Sequence, residues 1–251
     1  MVVTVALLAQ CGCAKGKIAE NVRLQDIGEG LEFARVAAAY GAGPPVTTYV
    51  LRFHPRQWSL RHVKAEETGS RLTDAAGFRK VRSAAAAFNG IYFDPSYKPL
   101  GLMVSDGKEL SRLRRVDHGV FTVAAAGPGL QHARRWREPA GLDFAAECGP
   151  RLVVDGLPLH FKAGLARRTV LGFDPEGRVY VVVTQGVVGL EDLARFLARR
   201  VSDGGLGLRG ALNLDGGSST MFDLAWGDAA VAVRSAVQVP VGIVVVKRPG
   251  K

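Results

Sequence analysis

The feature that most limits the fold is a run of strand-forming residues, Val179-Tyr180-Val181-Val182-Val183-Thr184. Successive side chains of a strand point to opposite faces of a sheet, so a run that is apolar throughout has to be covered on both faces. The run is also too short, and too rich in β-branched residues, to be a typical helix. It therefore predicts a central strand of a buried sheet.

Further strands are predicted along the chain. Runs that are β-branched, aromatic or closed by turn residues occupy residues 47–53, 152–156, 169–174, 211–214 and 237–246. Residues 102–110 form two short runs joined at Asp106-Gly107, which is a hairpin signal. The small-residue run 83–88 fits either a buried strand or the end of a helix, and the Gly-, Pro- and Arg-rich residues 126–143 predict a surface loop.

Only two segments have the spacing of helices. Residues 73–81 have helix-like spacing, and residues 190–200 place Leu190, Leu193, Ala194 and Leu197 on one stripe of an amphipathic helix. Strands with few, unevenly spaced helices predict an α/β or α+β fold, a single domain over residues 22–251 with a mixed β-sheet flanked by a few helices. No linker interrupts this region.

The charge of the chain limits the kind of partner. The net charge is +10, and much of the excess lies in two clusters, Arg112/Arg114/Arg115 and Arg134/Arg135/Arg137. A basic surface favours anionic ligands such as phosphates, acidic glycans, nucleic acid or anionic membrane. No recognised nucleic-acid module signature occurs, so no nucleic-acid partner is predicted. The clusters are either a solvated basic face or a surface that attracts an anionic polymer or lipid head group.

Residues 1–14 resemble the tail of an export signal, although the positively charged start of such a signal is missing. Leu8-Ala9-Gln10-Cys11 is similar to a bacterial lipobox, and Gln10-Cys11-Gly12-Cys13 offers a second frame. We therefore expect an exported protein, periplasmic or at the cell surface, with membrane attachment through a lipidated Cys11 or Cys13 as one form of it. The remaining thiol, Cys148, excludes a disulfide scaffold in the mature domain.

One segment carries most of the functional signal, Asn213-Leu214-Asp215-Gly216-Gly217-Ser218-Ser219-Thr220. Consecutive glycines allow positive φ and close backbone approach, so that successive N–H groups can converge on an anion. The Ser and Thr hydroxyls add short donors for phosphate or sugar oxygens. Asp215 could hold a sugar hydroxyl, bind a cation or act on a reacting centre. A strand-to-helix turn with a Ser or Thr cap is the structural alternative.

The same segment resembles the signature of the phosphodiester glycosidase family. Four further segments match that family in the same order, at residues 88–93, 101–107, 147–156 and 168–174. Together the resemblance covers roughly residues 47–246. Three positions differ from the family pattern: Ser218 replaces a Gly or Pro, Ile91 replaces a Gly, and Glu147 replaces an amide.

The resemblance implies hydrolysis of a sugar-1-phosphodiester at its glycosidic C1–O bond, on the glycans of a surface or exopolysaccharide. It implies Asp215, Glu147 and Arg168 as catalytic residues, with Asp215 the main carboxylate and Arg168 on the phosphate. The implied substrate-binding residues are Asn89, Gly90, Asn213, Gly216, Gly217, Ser218, Ser219 and Thr220.

The substrate partner is then a phosphorylated carbohydrate or glycan. No cofactor is expected, although a Ca²⁺ at the Asp215 loop stays open. Two alternatives remain: a non-catalytic glycan- or phosphate-binding protein of exopolysaccharide assembly, and a metal-dependent phosphodiesterase with Asp215 as a ligand. No His, Asp or Glu cluster with the spacing of metal ligands favours the latter. The oligomeric state is not predicted.

Overall fold

The computed structural model describes residues 22–249, which are built mainly from short strands. Its two α-helices are α1 (Ala75–Val81) and α2 (Leu190–Ala198). Its strands are β1 (Gln25–Asp26), β2 (Glu32–Ala38), β3 (Val46–Phe53), β4 (Trp58–Lys64), β5 (Ala86–Asn89), β6 (Met103–Ser105), β7 (Lys108–Ser111), β8 (Gly119–Ala124), β9 (Gly127–His132), β10 (Phe144–Cys148), β11 (Arg151–Val154), β12 (Leu157–Pro158), β13 (Leu165–Ala166), β14 (Thr169–Phe173), β15 (Val179–Thr184), β16 (Val188–Gly189), β17 (Gly210–Asn213), β18 (Phe222–Trp226), β19 (Ala229–Val233) and β20 (Val241–Lys247).

The strands form three large sheets and one small one. The largest has the order β1-β2-β3-β15-β14-β17-β11-β12, and the two five-stranded sheets have the orders β7-β6-β10-β8-β9 and β19-β18-β5-β20-β4. A two-stranded ribbon pairs β13 with β16.

All strand pairs among the described residues are antiparallel. The predicted mixed sheet is therefore wrong, whereas an α+β description dominated by sheets is compatible with the structure. Parallel pairs need long crossovers, usually through a helix, and α1 and α2 are too short and too few to provide them.

The prediction of a central, doubly covered strand is confirmed. β15 lies between β3 and β14, and all six of its residues are buried. Val181 and Val183 face a core shared with the two five-stranded sheets, while Tyr180 and Val182 face a second core. Helix α2 closes that second core with Leu193, Phe196 and Leu197. Burial of such a side chain contributes roughly 1.5–3 kcal/mol.

The three large sheets meet at one hydrophobic core. We call the two five-stranded sheets by their edge strands, the β19–β4 sheet and the β7–β9 sheet. Phe53 comes from the eight-stranded sheet, Phe88 and Phe222 come from the β19–β4 sheet, and Phe144 comes from the β7–β9 sheet. The outer face of the β19–β4 sheet is covered by α1, through the buried Phe78. Loops that cross between sheets therefore lie at the rim of this common core, and the Asp215 segment is one of them.

Local predictions agree with the structure except at one segment. The hairpin at Asp106-Gly107 is confirmed by the pairing of β6 with β7, and the run 83–88 leads into strand β5 rather than a helix. Residues 126–143 do not form only a loop, because they begin with β9, an edge strand paired with β8. All residues of β9 are half-buried, so this edge strand lacks the apolar alternation by which strands are recognised.

The export and lipidation predictions fall on residues 1–14, which lie outside the described residues. Among residues 22–249, neither helix has the length and apolar character needed to cross a bilayer.

Candidate active site

The Asp215 segment joins two sheets. It leaves the eight-stranded sheet at the end of β17 and enters β18 of the β19–β4 sheet. The Leu214 N–H donates to the Thr169 carbonyl at 2.8 Å, and the Asp215 N–H donates to the Gly90 carbonyl at 3.3 Å. These two bonds fix Asp215 where β14 begins and β5 ends. The segment contains one turn of 3-10 helix, Gly217–Ser219, which begins after Gly216 without a side-chain cap and leads into β18. The alternative of a turn into a helix capped by Ser or Thr is therefore confirmed only for this single turn, and its cap is wrong.

The backbone donors of the loop are used inside the protein. The Gly216 N–H donates to Oδ1 of Asp215 at 2.9 Å, and the Gly217 N–H donates to the Arg167 carbonyl at 2.8 Å. The N–H groups of Ser219 and Thr220 donate to the carbonyls of Gly216 and Gly217. The expected convergence of these four donors on an external anion is therefore not seen. Gly217 has φ +61°, so at this position the predicted need for glycine holds.

Asn89 connects the loop to both neighbouring strands. Its Nδ2 donates to the Asp215 carbonyl at 2.5 Å, and its Oδ1 accepts from the Thr169 hydroxyl at 2.7 Å and from the Met221 N–H at 3.3 Å. The side chain is fully buried. Asn89 was predicted to bind substrate, but in this structure its amide is occupied by these internal bonds and positions the backbone of Asp215.

Gly90 and the hydroxyl residues contribute in different ways. Gly90 is buried, and a Cβ added there would lie 2.9 Å from the Val241 carbonyl oxygen, so close strand packing requires glycine. Ser219 and Thr220 are buried, whereas Ser218 is exposed at the tip of the loop. Of the three predicted hydroxyl ligands, Ser218 is the one presented to solvent.

The Asp215 carboxylate is half-buried. Its burial raises the pKa of the carboxyl group, and the Ser219 hydroxyl and the Gly216 N–H offset part of this rise. Desolvation therefore dominates the two donors. A carboxylate held this way is less stabilised in its charged form than one on the protein surface.

Arg168 and Arg167 lie on the chain that enters β14. The Arg168 Nη2 donates to the Gly164 carbonyl at 2.9 Å and its Nε donates to the Val188 carbonyl at 3.3 Å. Partial burial lowers the pKa of its guanidinium, and no carboxylate among residues 22–249 forms a salt bridge with it. Arg167 instead holds the loop, since its guanidinium donates to the carbonyls of Thr220 and Arg234, each at 2.9 Å.

Glu147 lies on β10 and is fully buried. Its Oε2 accepts from the N–H groups of Leu102 and Arg114 at 2.8 and 2.9 Å, and its Oε1 lies 3.6 Å from Nδ1 of His118. The side chain that faces Oε1 is therefore that of His118, and the contact with Arg114 is made by its backbone rather than its guanidinium. A Cβ at Gly101 would lie 2.8 Å from the Glu147 carbonyl oxygen, so glycine is also required there.

Tyr92 and His118 are residues that sequence reasoning did not single out. Their rings lie 5.7 Å apart, and the Tyr92 hydroxyl donates to the Gly149 carbonyl at 2.5 Å. Asn213 Nδ2 donates to the same carbonyl at 3.0 Å. Burial raises the pKa of Tyr92, with further rises from Cys148 and Asp215 and an opposing effect of Arg168. Tyr92 thus lies within electrostatic reach of both Asp215 and Arg168.

The position of Tyr92 inside the matched segment 88–93 was the available signal for it. His118 had none, because a lone histidine ahead of a strand has no distinctive spacing.

Buried polar atoms without partners are concentrated here. Among residues 22–249, six buried side-chain nitrogen or oxygen atoms have no hydrogen-bond partner. Five belong to this site: Arg167 Nε, Asn213 Oδ1, Thr220 Oγ1, and His118 Nδ1 and Glu147 Oε1, which face each other at 3.6 Å, beyond hydrogen-bond distance. The Tyr92 hydroxyl has already given its hydrogen to Gly149, so it has none left for Asn213 Oδ1. Each such atom costs roughly 1–3 kcal/mol of stability, and such atoms call for an explanation in a native protein.

Other groups add little to this chemistry. Cys148 is fully buried, and burial raises the pKa of its thiol to about 12, so it is a poor nucleophile. In the part of the chain that the structure describes, no three His, Cys, Asp or Glu side chains cluster as metal ligands would. Four clefts of about 460–730 Å³ are lined by residues other than the predicted site residues. The 460 Å³ cleft begins at Met221 and Phe222, directly after the loop.

Sequence comparison connects this site with a known family. The model of the phosphodiester glycosidase family matches residues 82–246, which is more than half of the chain and includes the residues of this candidate site. An uncharacterized protein of Escherichia coli K12, YigE, is 26% identical over 149 residues, which is 54% of this chain. That match spans 57% of the length of YigE, a little over half of it.

Solved structures share the fold. The zebrafish N-acetylglucosamine-1-phosphodiester alpha-N-acetylglucosaminidase catalytic domain, auto-inhibited by its pro-peptide, superposes with a TM-score of 0.66 at 19% identity. The similarity covers 92% of this chain and 87% of that one. A hypothetical protein from Synechocystis superposes with a TM-score of 0.61 at 18% identity, over 92% of this chain and 64% of that one. At these identities the likeness shows the fold alone.

Proposed function

Because this chain belongs to the phosphodiester glycosidase family, we propose that it hydrolyses the glycosidic C1–O bond of sugar-1-phosphodiesters. The observation that carries the proposal is the group of buried polar atoms without a hydrogen-bond partner in and beside the Asp215 loop, namely Arg167 Nε, Asn213 Oδ1 and Thr220 Oγ1. If these buried polar atoms served only the stability of the fold, we would expect each of them to have a hydrogen-bond partner within the protein. Unpartnered donors and acceptors beside a half-buried carboxylate are what a polar ligand such as a phosphorylated sugar would satisfy.

The leaving group determines what such a site needs. A water molecule adds its oxygen to C1 of the sugar, the C1–O bond breaks, and the phosphate leaves as a monoester that keeps its bridging oxygen. A phosphate monoester has a second pKa of ~6, so it leaves with little help from an acid. The site needs a cation on the phosphate and a carboxylate on the positively charged sugar side of the transition state.

The described residues can be assigned to these tasks. Asp215 is the carboxylate that faces the sugar carbon, either as nucleophile or as stabiliser of the oxocarbenium ion. Arg168, which no carboxylate of residues 22–249 pairs with, holds the phosphate, and Ser218 supplies the exposed hydroxyl of the loop. Asn89, Arg167 and Gly90 hold the loop in place, and Glu147 acts through His118 as a positioning residue.

Hydrolysis in oxygen-18 water tests the proposal. A methyl diester of a sugar-1-phosphate is incubated with the enzyme, and the phosphate product is examined by mass spectrometry. C1–O cleavage leaves the phosphate unlabelled. The phosphate is the decisive product, because the anomeric oxygen of a free sugar exchanges with water by itself. Label in the phosphate would establish P–O cleavage, as in a metal-dependent phosphodiesterase, and overturn the proposal.

Several sugar-1-phosphodiesters with different sugars should be tested, because a single substrate could carry the wrong sugar. Binding of several sugar-1-phosphodiesters without turnover of any of them would favour the non-catalytic glycan-binding protein. We also propose that no cofactor is needed, so the rate should be the same before and after treatment with EDTA. A loss that Ca²⁺ restores would assign a cation to the loop.

A further inference from the structure

The two arginine clusters of the sequence form one surface, which we call the arginine surface and define as Arg112, Arg114, Arg115, Arg134, Arg135 and Arg137. Their segments are joined by three contacts. The Arg115 guanidinium donates to the Arg134 carbonyl at 3.3 Å, the Ala133 N–H donates to the His118 carbonyl at 2.9 Å, and His132 Nε2 lies 2.9 Å from Asp117 Oδ1. Residues 112–118 and 132–137 therefore lie side by side.

The charges of the arginine surface are not balanced by the protein. All six arginines are exposed, and in the described chain none of them forms a salt bridge. The nearby acids do little to change this, because Asp117 is bonded to His132 and Glu138 is exposed without a cation within 4 Å. Arginines elsewhere, such as Arg52, are paired with carboxylates. The arginine surface thus offers unneutralised charge to an external anion.

The arginine surface is connected to the candidate active site by contacts inside the protein. The Arg114 N–H donates to Oε2 of Glu147, whose other oxygen faces His118. His118 in turn packs against Tyr92, and the Tyr92 hydroxyl bonds the Gly149 carbonyl that Asn213 also bonds. A chain of contacts therefore leads from the backbone of Arg114, beneath the arginine surface, to Asn213, two positions before Asp215.

We propose that the arginine surface binds further phosphate groups of a polyanionic, phosphodiester-linked glycan whose reacting bond lies at Asp215. This inference rests on the proposed function and names its substrate class as a polymer rather than a small sugar phosphate. Guanidinium groups bind phosphate oxygens in a bidentate manner, and a row of them can follow a flexible chain of diesters.

The surroundings of the arginine surface favour a glycan over nucleic acid or membrane. The large apolar side chains of the two segments, Leu113 and Trp136, pack against an internal cluster that contains Leu102, Val104 and Val120. Trp136 is therefore committed to packing rather than to stacking on bases, and neither residue is available as an anchor in a lipid bilayer.

A binding experiment tests the inference separately from catalysis. Asp215→Asn serves as the background, so that the polymer stays intact. In that background, Arg112→Gln, Arg135→Gln and Arg137→Gln are combined, since none of these side chains makes a bond inside the described chain. The matched control combines Arg23→Gln, Arg199→Gln and Arg209→Gln, three exposed arginines elsewhere that lower the net charge by the same amount. The probe is a phosphodiester-linked bacterial polysaccharide, compared with its single repeat.

We expect the surface triple variant to bind the polysaccharide roughly tenfold more weakly than the control triple, and to lose most of the preference for polymer over single repeat. Equal affinities of the two triple variants would overturn the inference. So would tighter binding of a single-stranded oligonucleotide, or of phosphatidylglycerol vesicles, that the surface triple variant loses. Binding that behaves as expected without any turnover by the wild-type protein would support the arginine surface while refuting the proposed hydrolysis.

Discussion

At the scale of single residues, the site depends on a carboxylate that the fold keeps in a costly state. Burial raises the pKa of Asp215, so the charged form that the reaction uses is less stable in the folded protein than it would be in water. Active sites often show this conflict between stability and function. Stability and activity can therefore be separated by experiment, because removal of the Asp215 charge should lower the activity while leaving the stability equal or higher.

Asp215→Asn should abolish turnover without harming the fold. We expect less than a tenth of the wild-type kcat, a barrier higher by at least ~1.4 kcal/mol. A raised folded-state pKa gives stability that is present below the unfolded pKa of ~3.9 and is lost as the pH rises through the folded value. At pH 7 the variant should therefore unfold at an equal or higher urea concentration, and the difference should vanish below about pH 3.9.

The pH dependence of wild-type kcat/KM is the accompanying measurement. Its acid limb should have a midpoint above the ordinary Asp value of ~3.9, because burial dominates the environment of Asp215. A midpoint at or below that value, or substantial activity in Asp215→Asn, would remove Asp215 from the reaction.

Arg168→Lys tests the phosphate site. Lysine keeps the charge but loses the planar fork, so kcat/KM on a phosphodiester should fall at least about tenfold. An aryl glycoside without phosphate gives Arg168 nothing to hold, and its slow cleavage should change little. Arg167→Lys is the matched control: Arg167 holds the Thr220 and Arg234 carbonyls, so its loss should reduce both activities together. If Arg168→Lys lowered kcat/KM equally on the phosphodiester and on the aryl glycoside, Arg168 would have a structural role instead of binding the phosphate.

Glu147 and His118 should behave as one unit. Their facing atoms are 3.6 Å apart, and Glu147 is too deeply buried to meet a substrate. We expect Glu147→Gln and His118→Gln each to lower kcat/KM about tenfold, and the double variant to be no worse than either one. Additive losses in the cycle would mean that the two residues act independently. A loss in Glu147→Gln as large as that in Asp215→Asn would make Glu147 a catalytic residue.

The sequence predicted which residues lie at the site better than it predicted which contacts they make there. The Asp-Gly-Gly segment was found because two adjacent glycines after a strand are unusual, and Gly217 does adopt positive φ. The use of its N–H groups could not be foreseen, since Arg167 and Asn89 reach the loop from distant parts of the chain. Asn89 is the instructive case: a buried amide that bridges strands has the same sequence context as one that faces a ligand.

At the scale of secondary structure, the site lies where β5, β14 and β17 meet. Apolar strands such as β15 were predictable from their own residues, because burial on both faces leaves a continuous apolar run. Sheet partners were not, since antiparallel pairing of β14 with β17 joins residues about 40 positions apart without a local signal. The edge strand β9 was missed for a related reason, as its residues are only half-buried.

Asn89 and Thr169 test this junction. Asn89→Ala removes three hydrogen bonds and leaves the Asp215 carbonyl without its side-chain donor, so it should destabilise the protein by roughly 2–4 kcal/mol in urea unfolding. Thr169→Val removes one of those bonds at nearly constant shape and should cost about 1 kcal/mol. The double variant should show coupling, because the shared bond is lost only once.

The alternative role for Asn89 predicts a different result. If its amide bound sugar hydroxyls, Asn89→Ala would raise KM while leaving the unfolding midpoint close to that of the wild type. Stability unchanged within about 0.5 kcal/mol would therefore contradict the positioning role.

At the scale of the whole molecule, the prediction of export concerns the N-terminus. If residues 1–14 belong to an export signal, mass spectrometry of the protein isolated from its native cell should show that the residues before Cys11 or Cys13 have been removed. Lipid attachment would add the mass of acyl chains to the new terminal cysteine. An intact Met1 on protein from the cytoplasmic fraction would refute export.

The closed hydrogen bonding of the Asp215 loop has a thermodynamic consequence for the whole enzyme. The amides of Gly216, Gly217, Ser219 and Thr220 already have partners within the protein, so the conformational entropy of the loop is lost during folding rather than during binding. A substrate meets a template that it does not have to order, and little of its binding energy is spent on rearrangement. Discrimination between substrates must then come from the fixed shape and charge of this template, not from a closure that only the correct substrate can drive.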